Sequence, residues 1–371
     1  MLSKSVVLLI GEKSKQLNIV NASRGTEPDA HTPRGLPMLD YYARATWANL
    51  SLAEHTARWE SYVSSGEIGF RCPKVATAFF WYESLGASIR GAKAAADIGA
   101  GEDVCRVPVR SLLSDMTVGN TSLRILQESL TAYQKAAAGD VRGPPPGAKR
   151  SNKMRRLDER ALMTLHVLRE TSRPRSPHMP YAALIQTHDV DGVPMLWPDD
   201  SPRWRRASPL LRSLAATSRA NAEHHFESIV PAAISRAGAV LSEGLECAVR
   251  SPRGPPSCSR AELAAVYSRE RFLRTYTILA ARDWVLPMYG RQRAFLAPVV
   301  DMLNYGQVGL RCRFDDKAGA FVLRATAPIK AGSELLFFYG AFCYEASINM
   351  YGFAPAGAKP CPASMTRSHG R

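Results

Sequence analysis

The polar side chains that look out of place lie late in the chain. Asp301 and Asn304 follow the Pro-led apolar run Ala297-Pro298-Val299-Val300 and precede Gly306, so a segment that reads as core must supply them with hydrogen-bond partners. Tyr339 closes the apolar stretch Leu335 to Phe338, and Arg282 ends a helical pattern upstream of Asp301. These groups can bind, orient and donate hydrogen bonds. Arrangements for other chemistry are missing: no Ser/His/Asp constellation, no Gly-rich phosphate loop and no Cys/His cluster at zinc spacing is evident. Glu223, His224, His225 and Glu227 suggest metal ligands, but adjacent histidines on a helix point in different directions, and Asp189, Asp191 and Gly192 are too short a fragment for a calcium loop.

The elements that must position these residues follow from periodicity. Leu157, Leu162, Leu165 and Leu168 recur at helical spacing, as do Leu210, Leu211 and Leu214, with a further helical stretch through Ile229, Ile234 and Val240. Ser259-Arg260-Ala261-Glu262 has the form of a capping box, so a helix is expected from about Arg260 to about Ala281. Arg311 to Phe314 and Ala320 to Ala325 alternate around the turn residues 315–319, which predicts a hairpin. Ala96 to Glu102 echoes Ala327 to Glu334: in each an Ile and a Gly-containing turn lead into a strand, Asp103 to Val107 and Leu335 to Phe338. Two β-rich ends flanking a helical middle suggest distant segments that meet in one α+β fold. The Pro/Gly stretches 143–147 and 251–257 read as exposed connections.

Four blocks, in order, resemble the split-SET methyltransferases, the class of the rubisco large-subunit lysine methyltransferase and the actin-histidine methyltransferase. They are Gly91 to Glu102 with Val107-Pro108; Pro180-Tyr181 with Leu196-Trp197 and Leu211 to Leu214; Ala297 to Asn304, close to P-x-x-D-M-x-N-H; and Gly332 to Gly340 with Tyr351-Gly352-Phe353, similar to G-x-E-x-x-x-x-Y-G and Y-G-F. The resemblance spans roughly Trp59 to Phe353. It implies a SET fold of short sheets split by a helical insert, with a knot-like C-terminal segment. The expected parts are an N-terminal extension, partly helical (1–85), a first SET part (86–125), the insert (126–268), a second SET part (269–354) and a disordered tail (355–371).

The resemblance also implies S-adenosyl-L-methionine as cofactor and a protein lysine as methyl acceptor, histidine being compatible with the same chemistry. Tyr339 becomes the catalytic hydroxyl. Glu102, Asp103, Val104, Arg282, Asp301, Met302, Asn304, Tyr305 and Tyr339 become the cofactor-binding set, with Glu102 preferred of the acidic pair and Arg282 facing the methionine carboxylate. For Arg282 the alternative is a helix C-terminal cation stabilised by the macrodipole, and for Asp301 a purely structural role. The chain departs from the family where Tyr305 replaces the usual His and Tyr344 an Asn, and the helical C-terminal domain of relatives is not found after Phe353. A catalytically weak SET module that binds a protein is therefore the second reading.

A net charge of +15 concentrates in residues 142–175 and 201–220. Neither stretch has the aromatic interleaving of a base-stacking platform or a recognisable nucleic-acid motif, so the expectation is a solvated basic face or an acidic protein or chromatin partner rather than nucleic-acid binding alone. The seven scattered cysteines read as reduced packing residues. No apolar run reaches the roughly 18 to 20 residues of a membrane span, and Val6 to Ile10 is short for a signal-peptide core. A monomeric intracellular chain with no membrane partner is expected, the cytoplasm, nucleus and chloroplast being equally open.

Overall fold

The computed structural model describes residues 69–82, 87–114, 116–117, 152–173, 175–188, 190–245, 247, 249–251, 254–306, 309–355 and 357–362, with positions 54, 57, 60 and 61. Most of the N-terminal extension, the Pro/Gly stretch 143–147 and the first part of the basic insert lie outside the described residues.

Strands β1 (Val75–Tyr82), β2 (Ala87–Ala94), β3 (Asp103–Pro108) and β4 (Leu113–Ser114) precede the helices α1 (Asn152–Thr171), α2 (Met179–Gln186) and α3 (Pro209–Ser242). A small hairpin, β5 (Val249–Ser251) and β6 (Gly254–Ser257), leads to α4 (Arg260–Val266) and α5 (Arg269–Arg282). Then come β7 (Trp284–Met288), β8 (Arg291–Leu296), β9 (Asn304–Tyr305), β10 (Leu310–Asp315), β11 (Ala320–Ala325), β12 (Glu334–Phe337) and α6 (Tyr344–Tyr351). Short sheets form in the orders β1-β2-β12-β9, β10-β11-β3 and β4-β8-β7. Each unites strands from both sides of the helices or from widely separated segments. β1 lies upstream of the expected boundary at residue 86 and pairs along its whole length with β2.

The two echoing segments meet directly. Ile98 and Ile329 exchange both backbone hydrogen bonds at 2.9 Å, and each turn feeds a strand, β3 or β12, into a different sheet. The hairpin expected around 315–319 is β10–β11, paired in register from Leu310↔Ala325 to Asp315↔Ala320. Phe321, fully buried at its centre, packs edge-on against Trp284 and Phe295 with ring centroids 5.3 and 5.6 Å away, tying two sheets together.

The helix expected from Arg260 to Ala281 is two helices. The capping box at Ser259–Glu262 forms as expected, but Ser268 supplies a second N-cap by accepting from Arg271 N, and the chain bends at Tyr267. Six of the seven cysteines, expected to be reduced, form the disulfides Cys72–Cys105, Cys247–Cys258 and Cys343–Cys361, leaving Cys312 as a thiol. Spacing tests for zinc sites do not detect partners 33, 11 and 18 residues apart that strand pairing, a hairpin and a helix cap bring together. The tail, expected to be disordered from 355, is ordered over 357–362: Lys359 O accepts from Tyr344 N at 2.7 Å and Cys361 N donates to Glu345 at 2.8 Å. Residues 363–371 lie outside the described residues.

Candidate active site

Asp301 lies in a single turn of 3-10 helix, Val300–Met302, that caps the run from Ala297. Val299 enters this turn at φ 72°, a left-handed conformation costly for a β-branched residue and one that concentrates at functional sites. Asp301 is 6% exposed, and its Oδ2 accepts from Tyr181 Oη at 2.5 Å. The Pro-Tyr of α2 thus anchors the turn. Arg282 Nη1 donates to the Asp301 carbonyl and its Nη2 meets His188 Nδ1 at 2.7 Å, so the guanidinium does more than face the C-terminus of α5. Burial raises the Asp301 carboxyl above its usual range, opposed by Arg282. His188 is pushed well down by burial and then by Arg282, Arg90 and Arg274, and is a neutral partner at physiological pH.

Directly after Leu303 the chain becomes β9, which runs parallel to β12 with Asn304 opposite Leu336 and Tyr305 opposite Phe337. Asn304 Nδ2 donates to Glu334 Oε1 at 2.8 Å and to Arg90 O at 3.2 Å, and Tyr82 Oη donates to both oxygens of Glu334 at 2.9 and 3.0 Å. The approach requires Gly91. A Cβ there would lie 2.7 Å from Asn304 Nδ2 and 2.8 Å from Glu334 Oε1.

Tyr339 follows β12 and donates from Oη to Leu303 O at 2.5 Å, which sets the phenol against the segment carrying Asp301 to Tyr305. Burial pushes its pKa up to about 12, with Arg282 opposing, so the hydroxyl is a neutral donor. Gly340, at φ 125°, turns the chain away at once; a Cβ would meet the Phe342 ring at 2.9 Å. Around the phenol stand Tyr305 at 5.7 Å, edge-on, and Tyr351 at 5.2 Å, with Phe353, Phe342 and Phe338 packed against those two. Phe338 is 44% exposed, so this aromatic cluster reaches solvent.

The structure therefore unites Arg282, Asp301, Asn304, Tyr305 and Tyr339. Met302, 4% exposed, contributes to the core beneath them. Glu102, Asp103 and Val104 make contacts elsewhere. The Glu102 carboxylate pairs with Lys74 Nζ at 2.6 Å and accepts from Gly99 N, closing its turn, and Asp103 bridges Arg106 and Arg324 on the β10-β11-β3 sheet. Val104 is a core side chain. These carboxylates are engaged by local cations rather than by the residues around Tyr339, contrary to their expected place in the cofactor-binding set. Sequence reasoning missed Arg90, Tyr82, His188 and Glu334. Glu334 sits inside the G-x-E block and Tyr181 inside the Pro-Tyr block, but strand pairing places the first and the packing of α2 against the Val300–Met302 turn the second.

Arg90 and Arg282 converge from β2 and α5 on neighbouring residues, Thr187 and His188: Arg90 Nη1 donates to Thr187 Oγ1 at 3.3 Å. Burial, then the adjacent Arg282, pushes Arg90 down to about 10, so it stays charged near neutral pH. Two guanidiniums face the single carboxylate Asp301, and Arg282 Nε and Asp301 Oδ1 have no protein partner among the described residues. The unpartnered guanidinium N–H suits the carboxylate of an amino-acid ligand, and the unpartnered carboxylate oxygen suits its ammonium. Beside it, Tyr305 and Phe353 offer flat faces and Asn304 an amide, a combination that fits S-adenosylmethionine.

No family model matches the sequence, and no curated protein matches it. Among solved structures, the chain is similar to the SET domain of LSMT bound to lysine and AdoHcy, with a TM-score of 0.51 and 14% identity over 83% of this chain and 59% of that one. Rubisco LSMT bound to sinefungin and monomethyllysine gives a TM-score of 0.51 and 15% identity, covering 83% of this chain and 57% of that one. The chain thus spans less than two thirds of either. At these identities the likeness concerns architecture, and by that architecture the chain has the SET-domain fold.

Proposed function

We propose that this chain is an S-adenosylmethionine-dependent protein methyltransferase acting on a lysine amine. The observation that carries the reading is the hydrogen bond from Tyr339 to Leu303 O, which holds a neutral phenol beside the segment bearing Asp301 and Asn304. The LSMT structures, solved with AdoHcy or sinefungin and with lysine or monomethyllysine, support the same assignment on a similar fold.

S-adenosylmethionine, when bound, supplies a methyl on a sulfonium whose sulfur departs neutral, so neither metal nor strong acid is required. The protein's tasks are alignment, desolvation and a deprotonated acceptor. Arg90 and Arg282 would hold the carboxylate end and Asn304 would fix a polar edge, while Asp301, restrained by Tyr181, keeps the turn in place. Tyr339 would orient the incoming amine through its oxygen. The rings of Tyr305, Tyr351 and Phe353 would exclude water and favour the uncharged amine, because desolvation lowers an ammonium pKa. They would also accept the methylated ammonium by cation–π attraction.

Tritium transfer from labelled S-adenosylmethionine to the proteins of a cell extract tests this reading. The wild type should label a protein band, with the label on lysine after hydrolysis, and Tyr339→Phe should lower the rate about a hundred-fold, the size of loss seen when one oriented polar group is removed from a reacting centre. Labelling undiminished by that substitution would refute the role given to Tyr339.

A further inference from the structure

We propose that a cationic rim at the first turn of α6 binds acidic protein segments and so selects acceptors flanked by carboxylates. The selection of acceptors rests on the methyltransferase reading; the binding of acidic segments does not.

The rim is built on a short 3-10 turn, Pro202–Arg206, capped by Ser201, whose hydroxyl accepts from Arg203 N. The turn is firmly seated. Trp204 packs edge-on against the buried Trp197 at 4.9 Å, and a cluster of Trp197, Leu211 and Ile348, flanked by Trp204, Ala207 and Tyr344, joins it to α6. Ser208 Oγ donates to Glu345 at 3.3 Å and Asn349 donates to Ser218 at 3.0 Å, so α3 and α6 are fastened at both ends of the short helix.

This base carries an excess of positive charge. Arg205, Arg206 and Arg212 are exposed, and residues 201–220 include no acidic side chain. The guanidiniums of Arg205 and Arg206 have no hydrogen-bond or ion-pair partner among the described residues. Arg203 and Arg212 bond to the backbone carbonyls of Asp191, Trp204 and Ala207, contacts that fix them without neutralising their charge. Across the same turn of α6, the exposed Lys359 is held through its carbonyl by Tyr344 N. Of the carboxylates nearby, Asp191 meets Arg274 at 3.9 Å, Asp199 is paired with Arg219, Glu345 is engaged by Ser208 and Cys361 N, and Asp200 is exposed.

The rim is close enough to the site to act on the same bound segment. α6 is an eight-residue helix, about 12 Å long at 1.5 Å per residue, and its last residue, Tyr351, has its ring 5.2 Å from that of Tyr339. An extended segment covers that span in about four residues at roughly 3.3 Å each. Guanidiniums favour carboxylates and phosphates alike, but single-stranded nucleic acid also needs open aromatic faces for its bases. Here Trp197 is buried and Trp204 is packed on it, so acidic protein is the favoured partner.

Fluorescence anisotropy with the full chain provides the test. One labelled peptide has a central lysine between blocks of glutamate, a second has glutamine in their place, and a short single-stranded oligonucleotide serves as competitor. The glutamate peptide should bind on the order of ten-fold tighter than the glutamine peptide and weaken as salt rises. The pair Arg205→Glu and Arg206→Glu should abolish that preference. Arg291→Glu with Arg311→Glu, an equal charge change at exposed positions on β8 and β10, should preserve it. Matching thermal midpoints for both double variants and wild type establish that they fold. Equal binding of the two peptides, equal loss in both double variants, or displacement by the oligonucleotide at lower concentration than by free glutamate peptide would each overturn the proposal. Failure of wild type to bind S-adenosylmethionine would instead defeat the methyltransferase reading, leaving the peptide result to stand or fall separately.

Discussion

At Gly91 the site tolerates no side chain, because the space a Cβ needs is filled by Asn304 Nδ2 and Glu334 Oε1 at 2.7 and 2.8 Å. Gly91→Ala must displace the Asn304–Glu334 hydrogen bond, and we expect cofactor affinity to fall by about ten-fold or more, since one buried polar group left unpaired costs about 1–3 kcal/mol. Calorimetry on the folded variant checks this; unchanged affinity would remove Asn304 from the binding set. Single residues were legible in the sequence where a motif block named them. Tyr339, Asn304, Asp301 and Arg282 belong to such blocks or stand at a helix end, and they come together. Arg90, Tyr82 and His188 carry no local signal, because what makes them neighbours is the pairing of β2 with β12 and the end of α2 meeting α5. Glu102 was misplaced for the converse reason: a carboxylate in a Gly-containing turn has a local use, here the amide of Gly99 and the amine of Lys74.

Among the elements, α1 and α2 hide histidines that must remain uncharged. His166 on α1 is 5% exposed, and burial pushes it down to about 3, with Glu170 opposing and His178, Arg169 and Arg173 adding to the shift. His178 and His188, just before and after α2, are also lowered, chiefly by burial. Each has a folded pKa below its unfolded value near 6.5, so the unfolded chain binds more protons at mildly acid pH. Stability is therefore full above about 6.5 and is lost as pH falls through it towards the folded values, by up to about 1.4 kcal/mol per pH unit for each histidine. The carboxylates held below their usual range, such as Asp97, Glu102 and Asp103, titrate beneath this window. Urea denaturation should show a falling midpoint between about pH 6.5 and 5, shallower in His166→Gln; a flat profile would contradict the buried neutral histidines. Elements were readable where periodicity or a cap announced them, as in α1, the start of α4 and the β10–β11 hairpin. The break at Tyr267–Ser268 was hidden because apolar spacing continues across it, and only the second serine cap marks the new start.

For the molecule as a whole, the echo between residues 96–102 and 327–334 anticipated the joining of two distant segments, and Ile98 paired with Ile329 is where they join. The pairing of cysteines could not be read in the same way, since it depends on which segments the fold makes adjacent. Cys72–Cys105 ties the start of the described fold to β3, and Cys343–Cys361 ties the tail to the cap of α6. Thiol titration of the denatured, unreduced protein should find one free cysteine of the seven, Cys312. Reduction should lower stability by about 2–4 kcal/mol for each bridge that contributes. Seven free thiols would show that the fold stands without these bridges.

On the reading proposed above, Arg90, Arg282, Asn304 and the aromatic cluster around Tyr339 together form the site for S-adenosylmethionine. Calorimetric titration of this compound into the purified chain tests it most directly. Saturable binding of one molecule per chain at micromolar concentration is expected, weakened at least about ten-fold by Arg90→Ala through loss of a charge-assisted contact. Absence of binding at millimolar S-adenosylmethionine would contradict it.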